Sequence, residues 1–302
     1  MKFRLLFIFV LLAVAVSLKA QPSTYVYAIR SNVDSLRMDL YQPALPRADK
    51  ACIIYIHGGS FRTGTRYDSI DALSCSRLAE KGFVVLSLDY RLTVRNIDLD
   101  TVSIRNIVPV ASHVFQCAVE DCSDATMFVI NHADQWNVDT ANIFLLGSSA
   151  GAITALQTDY CRANHIEWAR SLPDSFRYAG VISYSGAIFS NEGTLDYALP
   201  PAPTLLFHGT KDRIVTYNQY AIFRYRFVGS NKLSKRFERY GYPFWFYRME
   251  GRTHEVCNLM PLTPDIVAAF ADAVNLHTVG IRFEDYQNDQ LETPDWAKGK
   301  LF

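Results

Sequence analysis

The run Gly147-Ser148-Ser149-Ala150-Gly151 sets two serines among small residues, directly after the apolar stretch Ile143–Leu146 and directly before a segment with helical spacing. A strand that stops there and a helix that starts there must turn sharply at the central residue. In such G-x-S-x-G turns the central side chain, here Ser149, is left exposed at the end of the strand, and its neighbours two places away must be small. A serine hydroxyl is a weak nucleophile near neutral pH, so it needs a general base and a carboxylate to orient that base. Two loops offer them. LLFHGTKDRIV places Asp212 just past one apolar run, and YRMEGRTHEV places His254 just past another. Asp196 and Glu250 are the nearest rival carboxylates. The first precedes the strand that Asp212 follows, and the second is too close to His254 in sequence to face it easily. The chemistry these residue types support is nucleophilic acyl transfer, with Ser149 as nucleophile, His254 as base and Asp212 as its orienting acid.

Acyl transfer also develops an oxyanion, which backbone N–H groups of a Gly-rich turn can approach without a side chain in the way. The segment YIHGGSF, residues 55–61, has that composition and again follows an apolar run. All four loops must therefore open on one edge of one sheet. Short apolar runs at 51–56, 83–88, 142–147, 178–185, 203–208 and 243–249 read as strands, and they alternate with helical patterns near 69–81, 117–135, 150–161, 217–240 and 264–275. This alternation predicts an α/β fold whose mostly parallel central sheet carries helices on both faces. STYVYAIR and LRMDLYQP, joined by a short connection, read as two antiparallel strands at its start. The polar end, GIRFEDYQNDQLETPDWAKGKLF, shows no clear period and reads as an irregular tail.

The segments DLYQP, HGGSF, LDYRL, VEDCSDATMFVINHADQWNVDTANI, GSSAG, HGTKD and GRTHE occur in an order that resembles the α/β-hydrolases, over nearly the whole chain after the leader. The resemblance is to the carboxylesterase and hormone-sensitive-lipase-like group, which includes secreted esterases acting on acetyl or feruloyl side groups of plant polysaccharides. It implies Ser149, Asp212 and His254 as catalytic residues, Gly59, Ser60 and Ala150 as oxyanion donors, and no cofactor or metal. His57, Asp89 to Arg91 and Asp121 match as structural supports. The family's third loop glycine is Ser60 here, which keeps a backbone donor but alters the turn. The implied function is that of a secreted serine carboxylesterase hydrolysing short-chain or carbohydrate-linked esters through an acyl-enzyme on Ser149. Two alternatives stand beside it: a serine peptidase of the prolyl-oligopeptidase type, and a non-catalytic binding module on the same fold. The stretches Leu92–Ser112 and Gly186–Pro201 are too short for a large helical cap, so the expectation is a minimal cap and an open cleft, with Phe61 and Tyr184 as wall residues that bind substrate.

Composition narrows the remaining classes. With 302 residues, 49% of them hydrophobic, and no linker-like stretch, the chain reads as one catalytic domain over residues 21–302. Thirty basic and thirty acidic residues leave no net charge and no basic stripe, which argues against a nucleic-acid partner. Residues 1–20 have Lys2 and Arg4 ahead of an apolar run from Leu5 to Val16, the layout of a signal peptide and too short to span a bilayer. They predict export to the periplasm or the extracellular space, with no membrane span after removal. The six cysteines, Cys52, Cys75, Cys117, Cys122, Cys161 and Cys257, allow fifteen pairings among which the sequence does not choose, and none has metal-site spacing.

Overall fold

A computed structural model describes residues 21–30, 33–103, 105–191 and 193–286. The expected signal peptide, residues 1–20, and the end of the tail, residues 287–302, lie outside the described residues. The strands are β1 (Ser23–Arg30), β2 (Val33–Tyr41), β3 (Cys52–Ile56), β4 (Val84–Leu88), β5 (Ile143–Ser148), β6 (Gly180–Tyr184), β7 (Ala187–Ser190), β8 (Thr204–Gly209), β9 (Gln219–Ile222), β10 (Tyr225–Gly229), β11 (Phe244–Met249) and β12 (Ile281–Tyr286). The helices are α1 (Ser69–Glu80), α2 (Ile107–Asn131), the one-turn α3 (Ala133–Trp136), α4 (Ala150–Ala163), α5 (Ser230–Tyr240) and α6 (Pro264–Asn275).

Among the described residues, nine strands form one sheet in the order β1-β2-β4-β3-β5-β6-β8-β11-β12. Only β1 with β2 and β2 with β4 are antiparallel; every other pair is parallel. β3, β4, β5, β6 and β8 are buried at every position. That is why they read as continuous apolar runs: a parallel sheet is covered on both faces. Successive side chains alternate between the two cores. Ile54, Leu86, Leu145 and Val181 pack with α2, α4 and α5 through residues such as Ala118, Ile153 and Phe237. Ile53, Val85, Phe144 and Ile182 pack with α1 and α6 through Leu78, Val267 and Phe270. Each fully buried aromatic such as Phe144 or Phe270 contributes about 1.5–3 kcal/mol of hydrophobic stabilisation. The sheet thus has the mostly parallel α/β order expected, with its helices on both faces.

Three expectations about local structure are corrected. The span 217–240 is not one helix: β9 and β10 form a hairpin, pair with β7 in a separate three-stranded antiparallel sheet, and only then does α5 begin. The tail is not wholly irregular, because β12 adds a ninth, parallel strand beside β11. There Arg248 Nη2 donates to Asp285 Oδ2 at 2.8 Å, and Phe283 packs edge-on against Phe244 at 5.1 Å. The helix expected at 117–135 starts at Ile107 and ends at Asn131, with α3 following. Among the described residues, the stretch 92–112 holds two short 3-10 turns and the start of α2, and 186–201 holds β7 alone. Among the described residues, no helix is long and apolar enough to cross a membrane.

Candidate active site

Ser149 lies between β5 and α4 with φ 50° and ψ −117°, a conformation that ordinary L residues avoid. The neighbouring glycines make it possible. A Cβ on Gly147 would collide with the carbonyl oxygen of Gly151, and a Cβ on Gly151 would collide with that of Ile56. The turn is closed further by Ser149 N–H donating to the Tyr184 carbonyl at 2.8 Å and Ile153 N–H donating to the Ser149 carbonyl at 2.9 Å. Ser148 lies against Gly58, where a Cβ would sit 3.0 Å from Ser148 Oγ.

The loops after β8 and β11 are stitched together by their backbones. Thr210 N–H donates to the Met249 carbonyl at 3.0 Å, and Lys211 N–H to the Arg252 carbonyl at 2.8 Å. The Thr210 hydroxyl accepts from Gly251 N–H at 2.9 Å. This seam carries Asp212 to His254. Ser149 Oγ is 2.8 Å from His254 Nε2, and His254 Nδ1 is 2.7 Å from Asp212 Oδ2. A carboxylate only accepts, so Nδ1 carries the hydrogen and Nε2 accepts the Ser149 hydroxyl proton. All three residues are nearly buried, Ser149 at 3% exposure and His254 at 1%. Burial by itself would raise the Asp212 carboxyl, but hydrogen bonds from His208 and His254 outweigh it and hold the group well below the usual carboxylate range. Oδ1 also accepts from Ile214 and Val215 N–H at 2.9 and 3.0 Å.

The Gly-rich loop runs directly against this turn: a Cβ on Gly58 would sit 3.5 Å from Ser149 Cβ. Arg62 and Thr63 N–H both donate to the Gly59 carbonyl at 2.9 Å, which curls the loop. Gly59 has φ 115°, where any side chain would also meet the Thr63 carbonyl. Ser60 and Phe61 follow at φ 54° and 57°. The position where the resembling family has a third glycine is therefore left-handed, the region glycine occupies at least cost. Gly59, Ser60 and Ala150 N–H donate to no acceptor among the described residues. The loop is braced from behind. His57 Nδ1 bonds the Gly58 carbonyl at 2.6 Å, its ring stacks on Tyr90 at 4.6 Å, and Tyr90 Oη donates to the His57 carbonyl at 3.0 Å. Burial pulls the His57 imidazole below its ordinary value, so the ring acts as a neutral brace. Arg91 pairs with the fully buried Asp121 at 2.9 Å, and Asp89 pairs with Arg66 at 2.6 Å.

The two expected wall residues lie elsewhere. Tyr184 is fully buried, stacked on Phe207 at 4.4 Å, with its hydroxyl 2.6 Å from Thr263 Oγ1. It supports the sheet and cannot touch substrate. Phe61 is 6% exposed and packs edge-on against Tyr90 and Phe115 in the core. The six cysteines are free and buried. Two groups that the sequence reading passed over take part in the geometry: His208, which reaches Asp212, and Gly58, which abuts Ser149. Both sit inside segments already singled out, HGTKD and HGGSF. A cavity of about 150 Å³ opens beside the turn, lined by Gly58, Ser148, Asp71, Cys257 and Asn258 among others. A larger one of about 770 Å³, lined by His57, Tyr90, Arg91 and His113 among others, touches none of Ser149, Asp212 or His254.

The BD-FAE family model matches residues 38–188, half of the 302 residues. The probable isoprenylcysteine alpha-carbonyl methylesterase ICME of Oryza sativa subsp. japonica is 33% identical over 116 residues, which is 38% of this chain and 23% of the relative. The probable isoprenylcysteine alpha-carbonyl methylesterase ICMEL1 of Arabidopsis thaliana is 24% identical over 280 residues, 80% of this chain and 53% of the relative. The chain thus spans from about a quarter to about half the length of these curated relatives. Among solved structures, Thermogutta terrifontis esterase 2 phosphoramylated by tabun superposes with a TM-score of 0.62 at 20% identity, covering 86% of this chain and 97% of the other. That likeness establishes an α/β-hydrolase fold.

Proposed function

Because the chain belongs to the BD-FAE family, we propose that it is a serine carboxylesterase that works through an acyl-enzyme on Ser149. The observation that carries this reading is the unbroken hydrogen-bonded series from Ser149 Oγ through His254 to Asp212. Ser149 Oγ attacks the ester carbonyl while His254 Nε2 takes its proton, and Asp212 holds the imidazole tautomer and stabilises the imidazolium. The oxyanion is met by the backbone donors of Gly59, Ser60 and Ala150. His254 then returns the proton to the leaving alcohol, and a water molecule repeats the sequence to free the acid. The chemistry asks for no cofactor.

One feature favours short acyl groups on a larger carrier. Among the described residues, the segments 92–112 and 186–201 carry no helical cap that would enclose the alcohol side, which suits esters carried on carbohydrate. Export by the leader, residues 1–20, belongs to the same proposal. The relatives named as methylesterases support a second reading, a methyl ester of a lipidated cysteine.

The test is an ester panel with the wild-type chain beside Ser149→Ala: p-nitrophenyl acetate, butyrate and decanoate, methyl ferulate, acetylated xylan, and the methyl ester of a prenylated cysteine. We expect turnover of short acyl and carbohydrate-linked esters, lost in the variant. Turnover of the prenylcysteine methyl ester alone would select the second reading. No Ser149-dependent turnover of any ester would reject the esterase and return the peptidase or the binding module.

A further inference from the structure

β8 presents His208 four residues before Asp212, and its imidazole is fully buried. Nε2 lies 3.1 Å from the Val215 carbonyl and 3.3 Å from Asp212 Oδ2, while Nδ1 lies 2.8 Å from Oγ of Ser230, the first residue of α5. A carbonyl and a carboxylate only accept, so Nε2 must carry the hydrogen, and in the neutral ring Nδ1 accepts from the Ser230 hydroxyl. The tautomer of His208 is therefore fixed from both sides. The mechanism proposed above makes no use of this group.

The four donors around Asp212 divide unequally. Oδ1 takes two backbone N–H groups from its own loop, Ile214 and Val215. Oδ2 accepts from His254 at 2.7 Å and lies 3.3 Å from His208 Nε2, whose single hydrogen it shares with the nearer Val215 carbonyl at 3.1 Å. A buried carboxylate has about four acceptor positions, so these donors account for all of them. Without His208, the orientation of Oδ2 would rest on the two backbone bonds to Oδ1 and on the ring that Oδ2 must itself orient.

We infer that His208 is a positioning residue for the esterase reaction: its Nε2–H, shared between the Val215 carbonyl and Oδ2 of Asp212, ties the carboxylate to its own loop, and Ser230 anchors the ring in turn to the start of α5. The inference rests on the proposed ester hydrolysis. Misplacing a reacting group by about 1 Å can cost on the order of a hundredfold in rate, which sets the scale of the effect.

The test compares His208→Leu, His208→Asn and His208→Gln. Leu removes the donor, Asn is too short to bring one to Asp212, and the longer Gln amide places an N–H near the position of Nε2. Hydrolysis of p-nitrophenyl acetate is measured per site labelled by a fluorophosphonate at the end point, so misfolded protein is not counted. We expect His208→Leu and His208→Asn to lose about ten- to a hundredfold in kcat with KM changed less than about threefold, and His208→Gln to recover most of the loss. Wild-type kcat per labelled site in Leu and Asn, or equal losses in Asn and Gln, would overturn the inference, because a merely structural histidine changes the number of competent sites and not their rate. If His208→Leu does not fold, the Asn and Gln pair decides alone. If the wild-type chain shows no Ser149-dependent turnover, it is the esterase reading that fails.

Discussion

Asp71 and Asp212 lie near the same edge of the sheet and are buried alike, at 8% and 7% exposure, yet they are tuned in opposite directions. Asp212 receives two backbone N–H groups and two imidazoles, and these hold it ionised against the pull of burial. Asp71, on α1, receives one strong donor, the Tyr55 hydroxyl at 2.5 Å. Burial, with a smaller push from Asp68, drives it up to about 7. The lesson is that burial sets the cost of a charge and the donors decide whether the charge survives. The loop after β8 supplies donors in number because its acid has a base to orient. The Tyr55 pair sits in a stretch of interior that supplies fewer.

The sharpest way to break this comparison is Asp212→Asn. The amide keeps the shape but presents the wrong partner to His254 Nδ1, and loss of the correct tautomer costs roughly 10⁴-fold in kcat. A loss of less than about tenfold in p-nitrophenyl acetate hydrolysis would mean that this carboxylate is not the orienting acid.

The next effect is in stability against pH, where the two groups have opposite slopes. Asp212 has a folded-state pKa below its unfolded one. It therefore contributes stability that is present above about pH 4 and lost as pH falls through the folded value. Asp71 is the reverse: between about pH 4 and about pH 7 the native state keeps a proton that the unfolded state has released, so its contribution falls across that window and stays lost above it. Asp71→Asn removes this penalty and keeps an acceptor for Tyr55. Urea denaturation should show the variant gaining stability over wild type between pH 5 and pH 8, by at least about 1 kcal/mol and at most about 3, the ceiling set by the roughly two units between pH 5 and the folded value near 7. An unchanged difference at the two pH values would mean that Asp71 is ionised throughout.

The same contrast explains what the sequence made legible. Ser149, Asp212 and His254 each follow an apolar run, and parallel strands deliver their carboxyl ends to one edge, so position along the chain predicted proximity in space. His208 stands at the end of such a run and read as a strand terminus. Its second contact depends on how far the loop curls back from Asp212 to Val215, which spacing alone does not encode. Nothing in the sequence around Asp71 marks it out, since its hydrogen-bond partner Tyr55 lies sixteen residues away on β3. The β9–β10 hairpin was missed because its two-residue turn, Phe223-Arg224, carries no glycine or asparagine, although Phe223 has φ 52°. β12 was missed because an edge strand is half exposed and draws its stability from partners far away in sequence, Phe244 and Arg248.

Tyr184 gives the smallest test, and it bears on the boundary between core and site. The sequence reading made its ring a wall residue of the cleft. The backbone there does serve the turn, through the bond from Ser149 N–H to the Tyr184 carbonyl. The side chain points into the opposite core, where it is stacked on Phe207 and bonded to Thr263. Backbone and side chain of one residue thus belong to different regions. Tyr184→Phe deletes only the buried hydroxyl and leaves Thr263 with its carbonyl acceptors on Leu259 and Met260. It should cost about 1 kcal/mol in urea denaturation and leave KM for every ester unchanged. A KM that moved with acyl group would put the ring back in the site.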